Sequence, residues 1–227
     1  MPVLGYILIA LAAYLLGSIP TGFLVAKARG VDIRSVGSGN IGATNAMRVL
    51  GKPAGIFVLL MDALKGYAAC AFLAGWVFKG LAPHYSGLFV LFQNEPVEFK
   101  LKCHVIAGVA AVLGHNYTCW LKFKGGKGIA TTAGVYLALA PWAVLVALGI
   151  FILAILLTRY VSVGSIAAAI ALTATVWIMT PYNLFLGIVT TALGALAIYK
   201  HKSNLQRLMA GTENRLGKKP STPEITK

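Results

Sequence analysis

The chain has 227 residues, of which 58% are hydrophobic and 11% charged. Soluble domains average about 25% charged residues and disorder requires low hydrophobicity, so both classes are excluded and a polytopic membrane protein remains. Its 20 Lys+Arg against 6 Asp+Glu give a net charge of +14, and where those few charges sit carries much of the functional information.

A bilayer span needs roughly 20 apolar residues. Residues 3–26 are uncharged and long enough for a first span, and 27–52 form a basic, glycine-rich loop. Residues 53–78 make a second span. It carries Asp62 and Lys65 at i, i+3, where they are expected to pair because a lone charge in the membrane is costly. Residues 103–121 make a third, preceded by an outer loop over 93–102. The uncharged run 128–158 breaks at Pro141 into two short helices, and the run 160–199 is divided by the turn signal Thr180-Pro181-Tyr182-Asn183.

The positive-inside rule decides how often 128–158 crosses. With two crossings, the basic stretches 27–52, 122–127, Arg159 and 200–227 share one side, and the other keeps only Lys79, Lys100 and Lys102. A single crossing moves Arg159 and the tail away from Lys122, Lys124 and Lys127. The expected fold is therefore all-α and polytopic, with seven transmembrane helices, the N-terminus outside and the C-terminus cytoplasmic. One domain covers 1–216, and 217–227 is a polar, flexible cytoplasmic tail.

Cys70, Cys103 and Cys119 form no CxxC pair and read as small apolar residues. The four histidines lack zinc spacing. No metal and no cofactor are expected.

Four polar stretches fall on the cytoplasmic side of this topology. In the first, Gly37, Gly39 and Gly42 permit positive φ and can aim successive N–H groups at an anion. Ser38 and Asn40 add side-chain donors. Asn40 is placed to cap a short helix with Thr44 and Arg48 on one face, which a plain flexible linker would not need. In the second, Gly125, Gly126 and Gly128 surround Lys127 ahead of a helix whose positive end faces the loop. It is not a nucleoside-triphosphate loop, because Leu121 and Gly128 replace the required glycine and Ser/Thr; the alternative to a phosphate cradle is a basic loop that only satisfies the positive-inside rule. The third stretch contributes Ser165, just inside the sixth span, where a cap is the plainer role. The fourth places His201, Asn204 and Arg207 on one stripe if the seventh helix continues. His115 reads as a hydrogen-bonded packing residue.

Two cradles and several cations at a membrane surface suit two phosphates, or two phosphorylated ligands, one with an apolar tail. No GxSxG elbow is present, and no histidine is followed five residues on by aspartate. A transferase built this way needs an activated donor and works by orientation and electrostatics. The alternative is a membrane transporter or flippase of a phosphorylated solute or lipid, which would need a polar path through the membrane. A lipid-headgroup scaffold is a further class. No nucleic-acid partner is expected, because the basic residues spread over four loops without interleaved aromatics.

Three motifs stand in order: Gly37-Ser38-Gly39-Asn40-Ile41-Gly42-Ala43-Thr44-Asn45; Gly114-His115 leading to Phe123-Lys124-Gly125-Gly126-Lys127-Gly128-Ile129-Ala130-Thr131; and His201-x-x-Asn204-x-x-Arg207-Leu208 with Gly211-x-Glu213. Over about residues 3–216 they resemble the bacterial acyl-phosphate:glycerol-3-phosphate acyltransferases of the PlsY type. The resemblance implies a seven-helix protein of the bacterial inner membrane with a cytoplasmic active site. It implies transfer of a fatty acyl group from acyl phosphate to the sn-1 hydroxyl of glycerol 3-phosphate, giving lysophosphatidic acid and inorganic phosphate in the first step of phospholipid synthesis. It assigns acyl phosphate to Gly37, Ser38, Gly39, Asn40, Gly42 and Thr44. Glycerol 3-phosphate goes to Arg48, Lys127, Ser165, His201 and Asn204, with Gly125, Gly126 and Gly128 as phosphate-loop backbone. No protein base is assigned: the donor phosphate itself is expected to take the proton, with His201 the runner-up base. The expected partners are the two substrates and membrane lipids; contact with other lipid-synthesis enzymes is open. The sequence departs from the family pattern at Thr118, Cys119 and Trp120, in the apparent insertion at 93–102, and in the tail.

Overall fold

The computed structural model describes residues 2–73, 75 and 97–217. The part of the expected outer loop before Val97 and the tail beyond Gly217 lie outside these residues. Ten α-helices are described: α1 (Pro2–Ser18), α2 (Thr21–Lys27), α3 (Ala43–Leu50), α4 (Lys52–Ala68, prolonged by a π turn over Ala69–Leu73), α5 (Val97–Asn116), α6 (Ile129–Leu139), α7 (Pro141–Thr158), α8 (Val161–Met179), α9 (Leu184–Lys200) and α10 (Lys202–Met209). Four described spans are long and apolar enough to cross a bilayer: Val3–Lys27, Lys52–Leu73, Pro141–Thr158 and Val161–Met179; α9 and α10 pass the same test only when the bent pair is taken together. The protein is a multi-pass membrane protein, and its outer face agrees. Leu156, Leu157 and Ile178 are each at least 72% exposed, which only a lipid solvent makes favourable over a whole surface.

The helix ends follow local chemistry. Pro141 starts α7 and Asn183 caps α9, its side-chain oxygen accepting the Leu186 N–H at 2.9 Å. The first span differs from the expected uninterrupted run: it breaks between Ser18 and Thr21. Pro20 has no N–H and its ring crowds the preceding turn. The carbonyls released there are met by side chains, Thr118 donating to Ser18 O at 2.6 Å and Lys65 to Ile19 O at 2.9 Å. The helix of the expected third span begins at Val97 rather than at 103, and residues 119–121 are a 3₁₀ turn. α6, with 11 residues, rises about 16 Å, roughly half a hydrocarbon core.

Small residues set the helix spacing. α1 crosses α5 where a side chain on Gly17 would run into the Ala111 backbone and one on Gly114 into Tyr14. α4 crosses α6 the same way, Gly66 on Thr131 and Gly134 on Ala63. Such close approach is how helices associate where lipid removes the hydrophobic drive. The expected Asp62–Lys65 pair forms at 2.9 Å with both residues buried.

Candidate functional site

The first polar loop is organised by a residue the sequence reading passed over. Asn45, 1% exposed on α3, accepts the Ser38 N–H at 2.8 Å and donates to the carbonyls of Ile33, Val36 and Asn40 at 3.2, 3.1 and 2.9 Å. The loop therefore departs from the expected open amide nest. Ser38 N–H is taken by Asn45, Gly39 N–H by Val36 O and Gly42 N–H by the Asn40 side chain. Gly42, not Asn40, is the helix cap. Gly37 and Gly39 hold φ of 62° and 68°, and any side chain on Gly37 would strike Asn45.

The second loop lies down on the end of α5. Gly125 and Gly126 donate their N–H groups to the Asn116 and His115 carbonyls at 3.2 and 3.0 Å. Those two amides are spent inside the protein, contrary to the expectation that they present themselves to phosphate. Gly128, with φ 81°, turns the chain into α6. Between them Lys127 reaches out and donates to the Asn204 side-chain oxygen.

The third component is the corner between α9 and α10. The expected straight continuation fails: the two helices meet at 50° around His201. The corner still brings His201 and Asn204 to the same cavity, 3% and 6% exposed. His201 Nδ1 lies 2.7 Å from Ala197 O. A carbonyl only accepts, so Nδ1 carries the proton and Nε2 keeps a lone pair. After α10 the chain turns at Gly211 and returns Glu213 to the wall, pinned by the Leu216 N–H donating to Arg159 O at 2.9 Å. Glu213 accepts from Asn204 and Arg207 at 2.7 Å each and from Ser162 at 3.1 Å. Glu213 and Ser162 were not among the expected site residues. The third motif did contain the glutamate, and that was its only signal.

These segments enclose a polar cavity of about 150 Å³. Ser38, Asn40, Gly42, Thr44, Arg48, Lys127, Gly128, Ser165, His201 and Asn204 line it, together with Asn45, Asp62, His115, Ser162 and Glu213. Gly37, Gly39, Gly125 and Gly126 shape the loops behind that wall. The N-terminal ends of α3 and α6 both border the cavity and favour an anion there. Ser165 donates its hydroxyl to Val161 O at 2.9 Å, leaving its oxygen to accept.

The charges point the same way. The two wall carboxylates are paired, Glu213 with Arg207 at 2.7 Å and Asp62 with Lys65 at 2.9 Å. Arg48 and Lys127 instead meet neutral amides, Asn45 at 3.4 Å and Asn204. Burial lowers the Lys127 ammonium to about 8, an effect Glu213 opposes and Arg207 and Arg48 reinforce. Burial, then the charge of Lys127, pushes the His201 imidazole down to about 4. The arrangement holds two cations whose hydrogen-bond partners are neutral amides, with Glu213 the carboxylate that acts on both through charge alone, beside a neutral histidine.

An apolar groove of about 330 Å³ between α4, α6, α7, α8 and α9 adjoins the cavity. Leu59, Ile129, Ala130, Phe151 and Ser165 line both. Fold and site together define an integral membrane protein with a cation-lined cavity beside an apolar groove. A family model described as glycerol-3-phosphate acyltransferase matches residues 7–211, and the chain belongs to that family. The glycerol-3-phosphate acyltransferase of Geobacter metallireducens is 50% identical over 209 residues, 92% of this chain and 96% of that protein. A crystal structure of PlsY, an integral membrane glycerol 3-phosphate acyltransferase, in its glycerol 3-phosphate form superposes with a TM-score of 0.78 at 37% identity, covering 93% of this chain and 96% of that one. The lysophosphatidic acid form gives 0.76 at 36% identity, covering 93% and 95%.

Proposed function

We propose that the chain transfers a fatty acyl group from acyl phosphate to the sn-1 hydroxyl of glycerol 3-phosphate, giving lysophosphatidic acid and inorganic phosphate. The observation that carries this reading is the adjacency of the polar cavity and the apolar groove, which share Phe151 and Ser165 in their walls. A donor with an anionic head on a hydrocarbon tail fits across that junction, tail in the groove and head among the cations. The forms in which the neighbouring PlsY structures were solved carry the names of the acceptor and product of this reaction. Ser38, Asn40, Thr44 and the α3 end hold the donor phosphate in this reading. Arg48, Lys127, Ser165, His201 and Asn204 hold glycerol 3-phosphate.

The acceptor hydroxyl oxygen attacks the acyl carbonyl carbon. The new ester C–O bond forms as the acyl C–O bond to phosphate breaks, and the hydroxyl proton passes to the departing phosphate. The protein supplies orientation and positive charge, which stabilise the leaving dianion as it forms. His201 serves best as a neutral acceptor for an acceptor hydroxyl, since a base with a value near 4 has little pull on an alcohol at neutral pH.

The reading includes the topology: one unit over 1–216 with seven crossings, an outer N-terminus, and the cavity on the cytoplasmic side of a bacterial inner membrane. The positive-inside asymmetry supports it. The decisive assay offers the purified protein acyl phosphate, acyl-CoA and acyl-carrier protein in competition. Product from acyl phosphate alone, with phosphate release requiring both substrates, is expected; preference for acyl-CoA would defeat the donor assignment. Impermeant thiol labelling of single-cysteine variants at Lys27 and Lys124 in right-side-out vesicles should give no signal.

A further inference from the structure

The buried polar group beside the cavity that the reaction above does not use is His115 with Asp62. Its ring Nδ1 faces Asp62 Oδ1 at 3.6 Å, and the same carboxylate holds Lys65 at 2.9 Å, which in turn donates to the Ile19 carbonyl at 2.9 Å. All three side chains are no more than 6% exposed. The other edge of the ring lies directly under the second loop: a Cβ added to Gly126 would collide first with His115 Nε2. The His115 carbonyl also accepts the Gly126 N–H at 3.0 Å. The residue after Gly126 is Lys127, the cation that reaches into the cavity.

We infer that His115, oriented by Asp62, is a positioning residue that sets the height of the Gly125–Gly128 loop and so aims Lys127 at the acceptor's phosphate. The physical basis is short-range packing. The loop contacts α5 through the Nε2 edge of the ring and through two backbone hydrogen bonds, so its position follows that of the imidazole. On its other side the ring faces, at 3.6 Å, a carboxylate paired with Lys65, and that lysine bonds the break in the first span. The sequence offered no sign of this, because Asp62 and His115 lie on different helices and glycine at 126 reads as a phosphate-loop residue. The structure assigns that glycine a second reason: only a residue without Cβ lets the loop rest on the ring.

The inference rests on the proposed role of Lys127, and the test separates the two. His115→Ala, Gly126→Ala, the double variant and Lys127→Ala are made in the full chain, purified in nanodiscs, with KM for both substrates, kcat and thermal unfolding measured. Gly126 is not among the positive-φ glycines, so alanine there adds one methyl against the ring and little backbone strain. Gly126→Ala is expected to raise the glycerol 3-phosphate KM about tenfold or more, as misplacement of a ligand group does, and the acyl phosphate KM less. In the double variant the space left by the ring should restore most of that loss, the non-additivity expected of residues in contact. Additive effects, or falls in kcat that merely follow the unfolding temperature, would overturn the positioning role. If His115→Ala does not fold, Gly126→Ala decides alone: an unchanged acceptor KM refutes the inference. If Lys127→Ala leaves that KM unchanged, the reading of Lys127 fails first. If it raises KM while the other variants do not, only the inference fails.

Discussion

Lys127 and Asn204, 77 positions apart, meet in the wall of the cavity, the lysine donating to the amide oxygen while the amide nitrogen donates to Glu213 at 2.7 Å. This chain of bonds ties the glycine loop before α6 to the corner after α9. It gives Lys127 a neutral hydrogen-bond partner, with Glu213 one residue further along the chain of bonds.

The first prediction is a pH dependence. Burial holds Lys127 near 8 rather than at its ordinary value near 10.5. Raising the pH through 8 therefore removes a proton and a positive charge from the cavity, and anion affinity falls. The glycerol 3-phosphate KM is expected to climb between pH 7 and 9 while kcat changes less. Lys127→Arg, charged throughout this range, should flatten the climb from a higher starting KM. Lys127→Ala should raise KM sharply or abolish turnover. A KM independent of pH and of the lysine would reduce the loop to a topology signal.

The second concerns His201. With its imidazole near 4, it is neutral over the working range and offers no titration between pH 6 and 8. His201→Asn keeps a polar acceptor, and at saturating glycerol 3-phosphate it should retain a substantial kcat with a raised KM. Collapse of kcat at every pH and substrate level would instead mark the histidine as the base.

Much of the architecture was legible in the sequence where the cause is local. Pro141 and Asn183 end and start helices by their own backbone and side-chain chemistry, and the Asp62–Lys65 pair follows from i, i+3 spacing on one helix. Gly37 and Gly39 show the positive φ expected of them, whereas Gly42, at φ −80°, does not. What escaped was determined by partners distant in the chain. Asn45 looks like any polar residue in a helical run, yet four of its bonds hold the first loop. Ser162 and Glu213 lie 51 residues apart, and no periodicity connects them. The amides of Gly125 and Gly126 read as free because composition records a donor without saying which carbonyl lies beneath it. The kink at His201 likewise depends on how α10 folds over the cavity, which hydrophobic period does not encode.

The third prediction follows from Glu213. Its side chain is 6% exposed and receives three donors. Glu213→Ala strands Arg207 and Asn204 and releases the returning segment, at a cost of about 2 kcal/mol or more, as when buried charged hydrogen bonds lose a partner. Thermal unfolding in detergent should show a lower midpoint, and activity should fall with it. Glu213→Gln keeps the shape and one acceptor and should lie between. A midpoint unchanged in the alanine variant would show that the segment 210–217 contributes nothing to the wall.

The fourth concerns the groove. Its walls use small residues where α8 faces the opening: Ala168 and Ala169 follow Ser165, with Leu172 and Thr173 deeper, and Tyr136 bonded to Thr190 at 2.6 Å on the far side. From Ser165 to Thr173 the helix advances about 12 Å, shorter than an extended long fatty chain. The groove accordingly holds the carbonyl-proximal part of the tail, and the width at Ala168 governs every donor whose chain passes that level. Ala168→Leu adds three carbons to a half-open wall, where it is tolerated better than in a closed core. Saturated acyl phosphates of increasing length should lose kcat/KM progressively once the chain passes Ala168, while the shortest donors and the glycerol 3-phosphate KM stay near the parent values. Equal loss for all lengths would mean that the substitution disturbs the polar cavity through Ser165. No loss at any length would mean that the tail takes another route into the bilayer, which would remove the observation on which the donor assignment chiefly rests.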